Sequence, residues 1–299
     1  MSLKPKVSVI IATYNRASLV GEAIQSVLAQ TLDDWELLVI NDGSTDNTSS
    51  MLKYYDELDD RIQIINQVNR GRSNARNAGI SLAKADYVCF LDDDDLWYPP
   101  RLEKSISYLE NVPQLAFVYG QVMLNKVLEN KKVKYPYKIP EPTLGNLFME
   151  CTPQINAVTI KKNILIEMKG FNPSLNVCED YDLWLRVAMK YHYGIVTGVL
   201  GECLHHENST IANRVNLFKS MSAVLLALRS DLIKSIPEPI FSARISALDF
   251  KIAKEHFLTK NYPLAAHYLL QTLWTRPWGY RTTKKIKEVF DRRTSIAKK

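Results

Sequence analysis

No uninterrupted apolar run in this sequence approaches the roughly 18–20 residues of a membrane-spanning helix. The opening Met-Ser-Leu-Lys-Pro-Lys leads into a short apolar strand without the apolar core of a signal peptide, so a cytoplasmic location is expected. Neither GxGxxG nor GxxxxGK[ST] occurs, which removes the dinucleotide dehydrogenases and the P-loop enzymes. Cysteine is scarce. Cys89, Cys151, Cys178 and Cys203 form no CxxC pair, so neither a disulfide framework nor a structural zinc site is expected, only buried thiols. What is present is ordinary for a folded protein: 299 residues, 46% apolar and 23% charged, too apolar and too mixed for a disordered chain or a coiled-coil rod.

The net charge of +6 is not spread evenly. Between Arg276 and Lys299 stand nine Lys or Arg against Glu288 and Asp291, a local excess of +7, which leaves −1 for the rest. Nucleic-acid binding favours a basic folded face, and none is expected here. A basic tail beside Trp274, Trp278 and Tyr280 fits peripheral association with an anionic inner membrane face; a solvated helix end fits the same charges.

Apolar periodicity predicts strands at Val7–Ala12, Trp35–Ile40, Ile62–Ile65, Tyr87–Leu91 and Leu115–Tyr119. Between them lie helical patterns over 19–28, 45–55 with Thr45 or Asp46 as cap, 73–83, and from Pro99-Pro100 through Tyr108. This alternation predicts an α/β fold with a mostly parallel, Rossmann-like sheet flanked by helices. The basic stretch Lys126–Lys138 reads as a loop or exposed hairpin, Cys178–Lys190 as a helix, and 216–299 as a helical extension with a hairpin turning near Lys260–Pro263. The expected division is 1–120, 121–215 and 216–299.

Ligands of open parallel sheets bind beyond the carboxyl ends of the strands. Three groups fall there: Thr13-Tyr14-Asn15, Asp42, and the run Asp92-Asp93-Asp94-Asp95. Four consecutive carboxylates repel one another unless a cation or hydrogen-bond donors offset the charge. Carboxylate oxygens beside a phosphate are the donor set of Mg2+ or Mn2+.

Val7-Ser-Val-Ile-Ile-Ala-Thr-Tyr-Asn15, Val39-Ile-Asn-Asp-Gly-Ser-Thr-Asp46, Asn69-Arg-Gly-Arg-Ser-Asn-Ala-Arg-Asn-Ala-Gly79 and Phe90-Leu-Asp-Asp-Asp-Asp95, in that order, resemble glycosyltransferase family 2 over roughly residues 5–210. The resemblance implies the GT-A fold and a nucleotide-sugar donor site made of Thr13, Tyr14, Asp42, Arg76, Asp92 and Asp93. Tyr14 would stack on the base, Asp42 accept from it, and Arg76 lie near base and diphosphate. Asp94 would hold a divalent cation, Mn2+ or Mg2+, although the run permits Asp93 and Asp94 to exchange roles. Gly170-Phe171-Asn172 followed by Glu179-Asp180 resembles the family's Glu-Asp motif, with Asp180 as catalytic base and Glu179 beside it. His205-His206-Glu207-Asn208-Ser209 resembles its late His-x-x-Ser segment, which makes His206 a candidate metal or phosphate ligand.

The expected activity is metal-dependent, inverting transfer of a sugar from a nucleotide-diphosphate sugar, with UDP the expected nucleotide, to a hydroxyl of a glycan or lipid-linked acceptor. Cell-surface polysaccharide or glycoconjugate synthesis is the expected setting. A sugar-nucleotide pyrophosphorylase would need a Gly-rich N-terminal loop with Arg and Lys, which is absent. A noncatalytic nucleotide-sugar or glycan-binding module would need no base at Asp180.

Overall fold

The computed structural model of the chain describes residues 4–126, 131–136, 138–205 and 213–275. The chain divides into two compact units, Met1–Glu207 and Asn208–Lys299.

The first unit opens with β1 (Val7–Thr13), β2 (Trp35–Asn41), β3 (Ile62–Asn66) and β4 (Tyr87–Asp92), all parallel in the order β3-β2-β1-β4. Between and after them run α1 (Val20–Leu28), α2 (Thr48–Leu58), α3 (Arg72–Leu82) and α4 (Arg101–Asn111). The near-continuous Val, Ile and Leu of β1 and β2 suit strands covered on both faces. Val7, Val9 and Ile11 share a core with Val20, Ile24 and Val27 of α1, Leu52 of α2, and Leu102 and Ile106 of α4. Each such fully buried side chain contributes about 1.5–3 kcal/mol relative to exposure. Ile10 points to the opposite face, as strand alternation requires. There α3 packs so close that a Cβ on Gly79 would stand 2.6 Å from the Ile10 side chain.

Beyond β4 the sheet changes character. The remaining strands are β5 (Leu96–Trp97), β6 (Leu115–Lys126), β7 (Lys131–Tyr135), β8 (Thr159–Lys161) and β9 (His192–His205). The order continues β4-β8-β6-β9-β5, with β7 also paired to β6. The three-residue β8 lies antiparallel between β4 and β6, so the expected fifth strand, β6, is not the neighbour of β4. A parallel β6–β9 pair and a second core cluster around Leu115, Val118, Val122, Val196 and Leu200 complete this half. The basic stretch after Asn125 takes the hairpin alternative, β7 returning antiparallel along β6. Short helices α5 (Leu144–Met149) and α6 (Lys162–Glu167) precede α7 (Glu179–Ala188).

Helix α2 begins at Thr48 and not at Thr45, because Asp46 accepts hydrogen bonds from the Thr48 amide (2.9 Å) and hydroxyl (2.5 Å) and so ends the preceding turn. None of the four cysteines is in a disulfide; Cys89 and Cys178 are buried and Cys151 and Cys203 partly so.

The second unit contains α8 (Arg214–Ala227), α9 (Arg229–Leu232), α10 (Glu238–Leu258) and α11 (Tyr262–Thr275). Helices α10 and α11 form the expected hairpin, turning at Lys260 with φ 60°. Among the described residues, no helix is long and apolar enough to cross a membrane. The basic segment 276–299 lies outside the described residues.

Candidate functional site

Parallel register brings the expected strand ends together: Thr13 pairs with Asn41, one residue before Asp42, and Ala12 pairs with Asp92. Thr13 is buried, while the Tyr14 ring is 46% exposed. Asn15, at φ 53°, laces the loop after β1 to the loop after β2. Its amide nitrogen donates to the Ser44 hydroxyl (3.0 Å), and its side-chain oxygen accepts from the Thr45 amide (2.8 Å).

Asp42 organises the next loop. Its Oδ1 accepts from the Gln67 side chain (2.7 Å) and the Arg70 amide (3.0 Å), and its Oδ2 accepts from the Gly71 amide (2.8 Å). A carboxylate offers about four acceptor positions. Three are thus committed to the protein, and one on Oδ2 is left over. Gly43 follows at φ 76°, and a Cβ there would stand 2.7 Å from the Asn69 amide nitrogen, so this turn requires glycine.

The four-Asp run separates into different tasks. Asp92 Oδ1 binds Arg76 Nη2 at 2.5 Å; burial works against its charge, but Arg76, Arg72 and Arg16 outweigh burial and hold its pKa below the ordinary value. Asp93 has its pKa pushed up to about 6, chiefly by burial and further by Asp94 and Asp92, with the Thr13 hydroxyl and Arg16 opposing. Arg16 Nε stands 3.7 Å from Asp93. Asp95 turns away. It is buried, accepts from the Leu204 amide (2.9 Å) and Asn156 Nδ2 (3.0 Å), and burial beside Asp92 and Asp94 pushes its pKa well up. It ties the end of β9 to the end of β4.

Arg76 is fully enclosed and bridges the two halves of the sheet unit. Nη2 binds Asp92, Nη1 binds Glu179 Oε1 at 2.7 Å, and the guanidinium carbon stands 5.4 Å from the centre of the Phe171 ring. Burial disfavours its charge, yet Asp92 and Glu179 together raise its pKa further above the ordinary arginine value. Asn77, the next residue, clamps the loop before α7: its Nδ2 donates to the Phe171 carbonyl and its Oδ1 accepts from the Phe171 amide, both at 2.8 Å. Gly170 meets this clamp at φ 63°, with Asn77 filling the space of a Cβ. The guanidinium is thus engaged by protein carboxylates, a bracing position beside the ligand edge.

Helix α7 begins at Glu179, after Cys178 in the left-handed region at φ 64°. Asp180 Oδ1 accepts from the Tyr181 amide (2.7 Å). Its pKa is pushed up to about 7, first by burial, then by Glu179, with the Tyr181 amide and Arg76 opposing. Helix α7 therefore presents a carboxyl group that ionises near neutral pH, beside a Glu179 committed to Arg76.

The donor set suits a hard divalent cation: carboxylate oxygens only, crowded enough that Asp93 resists ionisation. Among the described residues no three His, Cys, Asp or Glu side chains converge into a closed metal site. His206 lies outside the described residues. Sequence reasoning placed Asn15 and Asp95 at this edge without their bracing tasks, and missed Asn77 and Asn156. The asparagines act through side-chain bonds to distant segments, Asn77 to Phe171 and Asn156 to Asp95 and Cys203, and only the adjacency of Asn77 to Arg76 gave a signal.

The model of the family described as "Glycosyl transferase family 2" matches residues 8–163. An uncharacterized glycosyltransferase of Rickettsia bellii is 30% identical over 213 residues, 70% of this chain and 30% of that protein, so the chain spans under a third of that relative's length. The UDP-Glc:alpha-D-GlcNAc-diphosphoundecaprenol beta-1,3-glucosyltransferase WfgD of Escherichia coli is 33% identical over 184 residues, 60% of this chain and 69% of that one. Among solved structures, S. aureus TarS 1-349 in complex with UDP-GlcNAc superposes with a TM-score of 0.66 at 15% identity, covering 90% of this chain and 81% of that one. The mannosyltransferase PcManGT of Pyrobaculum calidifontis, in complex with GDP-Man and Mn2+, gives 0.64 at 19% identity, covering 90% and 75%. At these identities the structures establish the fold, which is GT-A. With the family match extending over more than half of its length, the chain belongs to glycosyl transferase family 2.

Proposed function

We propose that this protein is a metal-dependent, inverting glycosyltransferase that moves a sugar from a nucleotide-diphosphate sugar to a hydroxyl of a glycan or lipid-linked acceptor, in cell-surface polysaccharide or glycoconjugate synthesis. The observation that carries this reading is the Arg76 bridge, which joins the acidic end of β4 to the head of α7 and its carboxyl group of pKa about 7. A base matched to neutral pH beside a donor-binding edge is what acceptor activation requires.

In this reading Tyr14 stacks on the base and Asp42 accepts from it through its remaining acceptor position. UDP is the expected nucleotide, in keeping with the names of the E. coli relative and the TarS complex. Asp180 takes the acceptor proton as the new bond to the anomeric carbon forms and the bond to the diphosphate breaks. Asp94, with His206 as a further ligand, would hold Mn2+ or Mg2+, which supplies positive charge to the departing diphosphate, and Asp93 would serve the donor or exchange places with Asp94. Thr13 and Asp92 complete the donor side, with Arg76 holding Asp92 in place. The basic segment 276–299 adds peripheral association with an anionic membrane face.

Calorimetric titration of UDP and GDP, with Mn2+ or with EDTA, tests the reading. One nucleotide should bind with a marked dependence on metal, and Asp94→Ala should remove that dependence. Equal metal-dependent binding in the Asp94→Ala protein would take Asp94 out of the site, and no nucleotide binding under any condition would overturn the function.

A further inference from the structure

Two arginines share one face of α3. Arg72 and Arg76 stand four residues apart, one turn or about 5.4 Å along the helix axis. Arg76 is enclosed and committed to Asp92 and Glu179. Arg72 differs: its side chain is 48% exposed, and among the described residues its guanidinium makes no hydrogen bond. Its Nη1 stands 3.6 Å from Glu179 Oε1, an oxygen that already accepts from Arg76 at 2.7 Å. Like charges four apart on one helix face are unfavourable. Arg72 therefore carries a charge and five N–H donors that the protein does not engage by hydrogen bonds.

The residues on either side fix where this guanidinium stands. The Gly71 amide donates to Asp42 Oδ2 (2.8 Å), just past the end of β2. The Ser73 hydroxyl donates to the Leu175 carbonyl (3.3 Å), in the loop that leads to α7. The start of α3 is thus tied to both sides of the ligand edge. Arg72 has its backbone beside the residue bonded to Asp42 and its guanidinium beside Glu179, the chain neighbour of Asp180. A donor with its base at Asp42 and its anomeric carbon near Asp180 has its ribose and diphosphate between them. Of the two phosphates, the β-phosphate carries the sugar and lies at the Asp180 end.

We propose that Arg72 binds the β-phosphate of the nucleotide-diphosphate sugar and is the residue by which the site distinguishes a diphosphate from a monophosphate. This inference rests on the glycosyltransferase reading and adds a leaving-group contact to it. The acceptor oxygen bonds to the anomeric carbon and its proton passes to Asp180, while the electron pair of the breaking bond stays on the β-phosphate oxygen. A guanidinium at that phosphate offers two parallel N–H bonds to oxygens that are gaining charge.

The test is calorimetric titration of full-length protein in Mg2+ with the tighter of UDP and GDP, and with the matching monophosphate. Wild type should bind the diphosphate more tightly. In Arg72→Ala the diphosphate should lose at least about tenfold in affinity, the scale of lost charge-assisted hydrogen bonds, while the monophosphate is unchanged. Arg72→Lys, which keeps the charge without the planar fork, should recover part of that loss. Lys53→Ala, which removes a charge beside Glu57 on α2, should bind both nucleotides as wild type does. The proposal is overturned if wild type does not distinguish the two nucleotides, if Arg72→Ala binds the diphosphate undiminished, or if Lys53→Ala weakens it equally. It is also overturned if Arg72→Ala weakens both nucleotides in parallel, because Arg72 would then serve only to steady Glu179. Failure of wild type to bind any nucleotide is a separate outcome, which removes the transferase reading and this inference with it.

Discussion

The two halves of the sheet unit are held together by different physics. From β1 to β4, the parallel strands bury mostly Val, Ile and Leu, with one buried polar pair near their start, Ser8 donating to Glu36 (2.6 Å), and a second polar group where the strands end, at Thr13, Asp42 and Asp92. From β5 to β9, the sheet is mixed and bulged and depends on buried polar groups. Arg101 shows the contrast best. It is fully buried, stacks 4.0 Å from the centre of the Trp97 ring, and donates to the Val158 carbonyl (2.6 Å) and the Thr159 hydroxyl (2.8 Å). An apolar half supplies a rigid edge for a ligand; a polar half fixes the angles at which short strands such as β8 and loops such as 170–178 approach it. Variants in the first should change nucleotide binding, and variants in the second turnover.

The largest effect should come from Asp180. Asp180→Asn should keep nucleotide affinity while turnover falls by roughly 10²–10⁴, the scale of a lost general base. Because the ionised form accepts the proton, wild-type kcat should rise with pH through about 7 and then level, and the variant should lose that limb. Equal losses in binding and turnover would make Asp180 a donor-side residue and erase the contrast.

Arg76→Met should destabilise the fold by about 3 kcal/mol in denaturant titration, since the buried Glu179 would keep only Arg72, 3.6 Å away, and the part-buried Asp92 would lose its hydrogen-bonded partner. Any residual activity should titrate at higher pH, because Arg76 is one of the groups that lower the pKa of Asp180. An unshifted pH profile would disconnect the bridge from the base.

Asp93→Asn should act in the opposite direction. A carboxyl group whose folded pKa is about 6, against 3.8 ordinarily, makes the native state bind more protons between those values, so stability falls as pH rises through that window. The variant should therefore be more stable at pH 8 by up to about 3 kcal/mol, with the gap closing below about pH 4. Mn2+ should raise the melting temperature of wild type more than that of the variant. A variant less stable than wild type at pH 8 would contradict the crowding of the Asp run.

The smallest effect concerns the tail. Removing residues 281–299 should leave nucleotide binding unchanged and weaken sedimentation with anionic vesicles, at about 1 kcal/mol per basic residue near the surface, less as salt is added. Equal, salt-insensitive sedimentation of both forms would end the membrane reading.

What the sequence disclosed follows the same division. Strands β1, β2 and β4 announce themselves because parallel strands buried on both faces need unbroken apolar runs, and their ligand-edge residues follow at once. Strand β8 offers only Thr159-Ile160-Lys161, too short for any periodicity, and β9 is interrupted by glycines at 194, 198 and 201. The Asp run was legible as a site, but not the departure of Asp95 towards β9, because that depends on an amide 109 residues away. The basic stretch after Asn125 reads as loop or hairpin because its lysines mask the alternation; Val133 and Tyr135, facing Leu124 and Val122, are the signal that settles it.

Helix α3 carries Arg76 and Asn77 side by side, one gripping Glu179 and the other the Phe171 backbone, while Gly79 of the same helix rests on Ile10 of β1. This makes the helix a coupling between modules in an exchange experiment. A chimera that grafts the acceptor half of a relative onto residues 1–120 of this chain would need partners matching four positions, Gly170, Phe171, Glu179 and the turn at Cys178. A graft lacking them would retain both sets of chemical groups and lose their mutual registration, and with it the transfer step, even where each half still bound its own ligand.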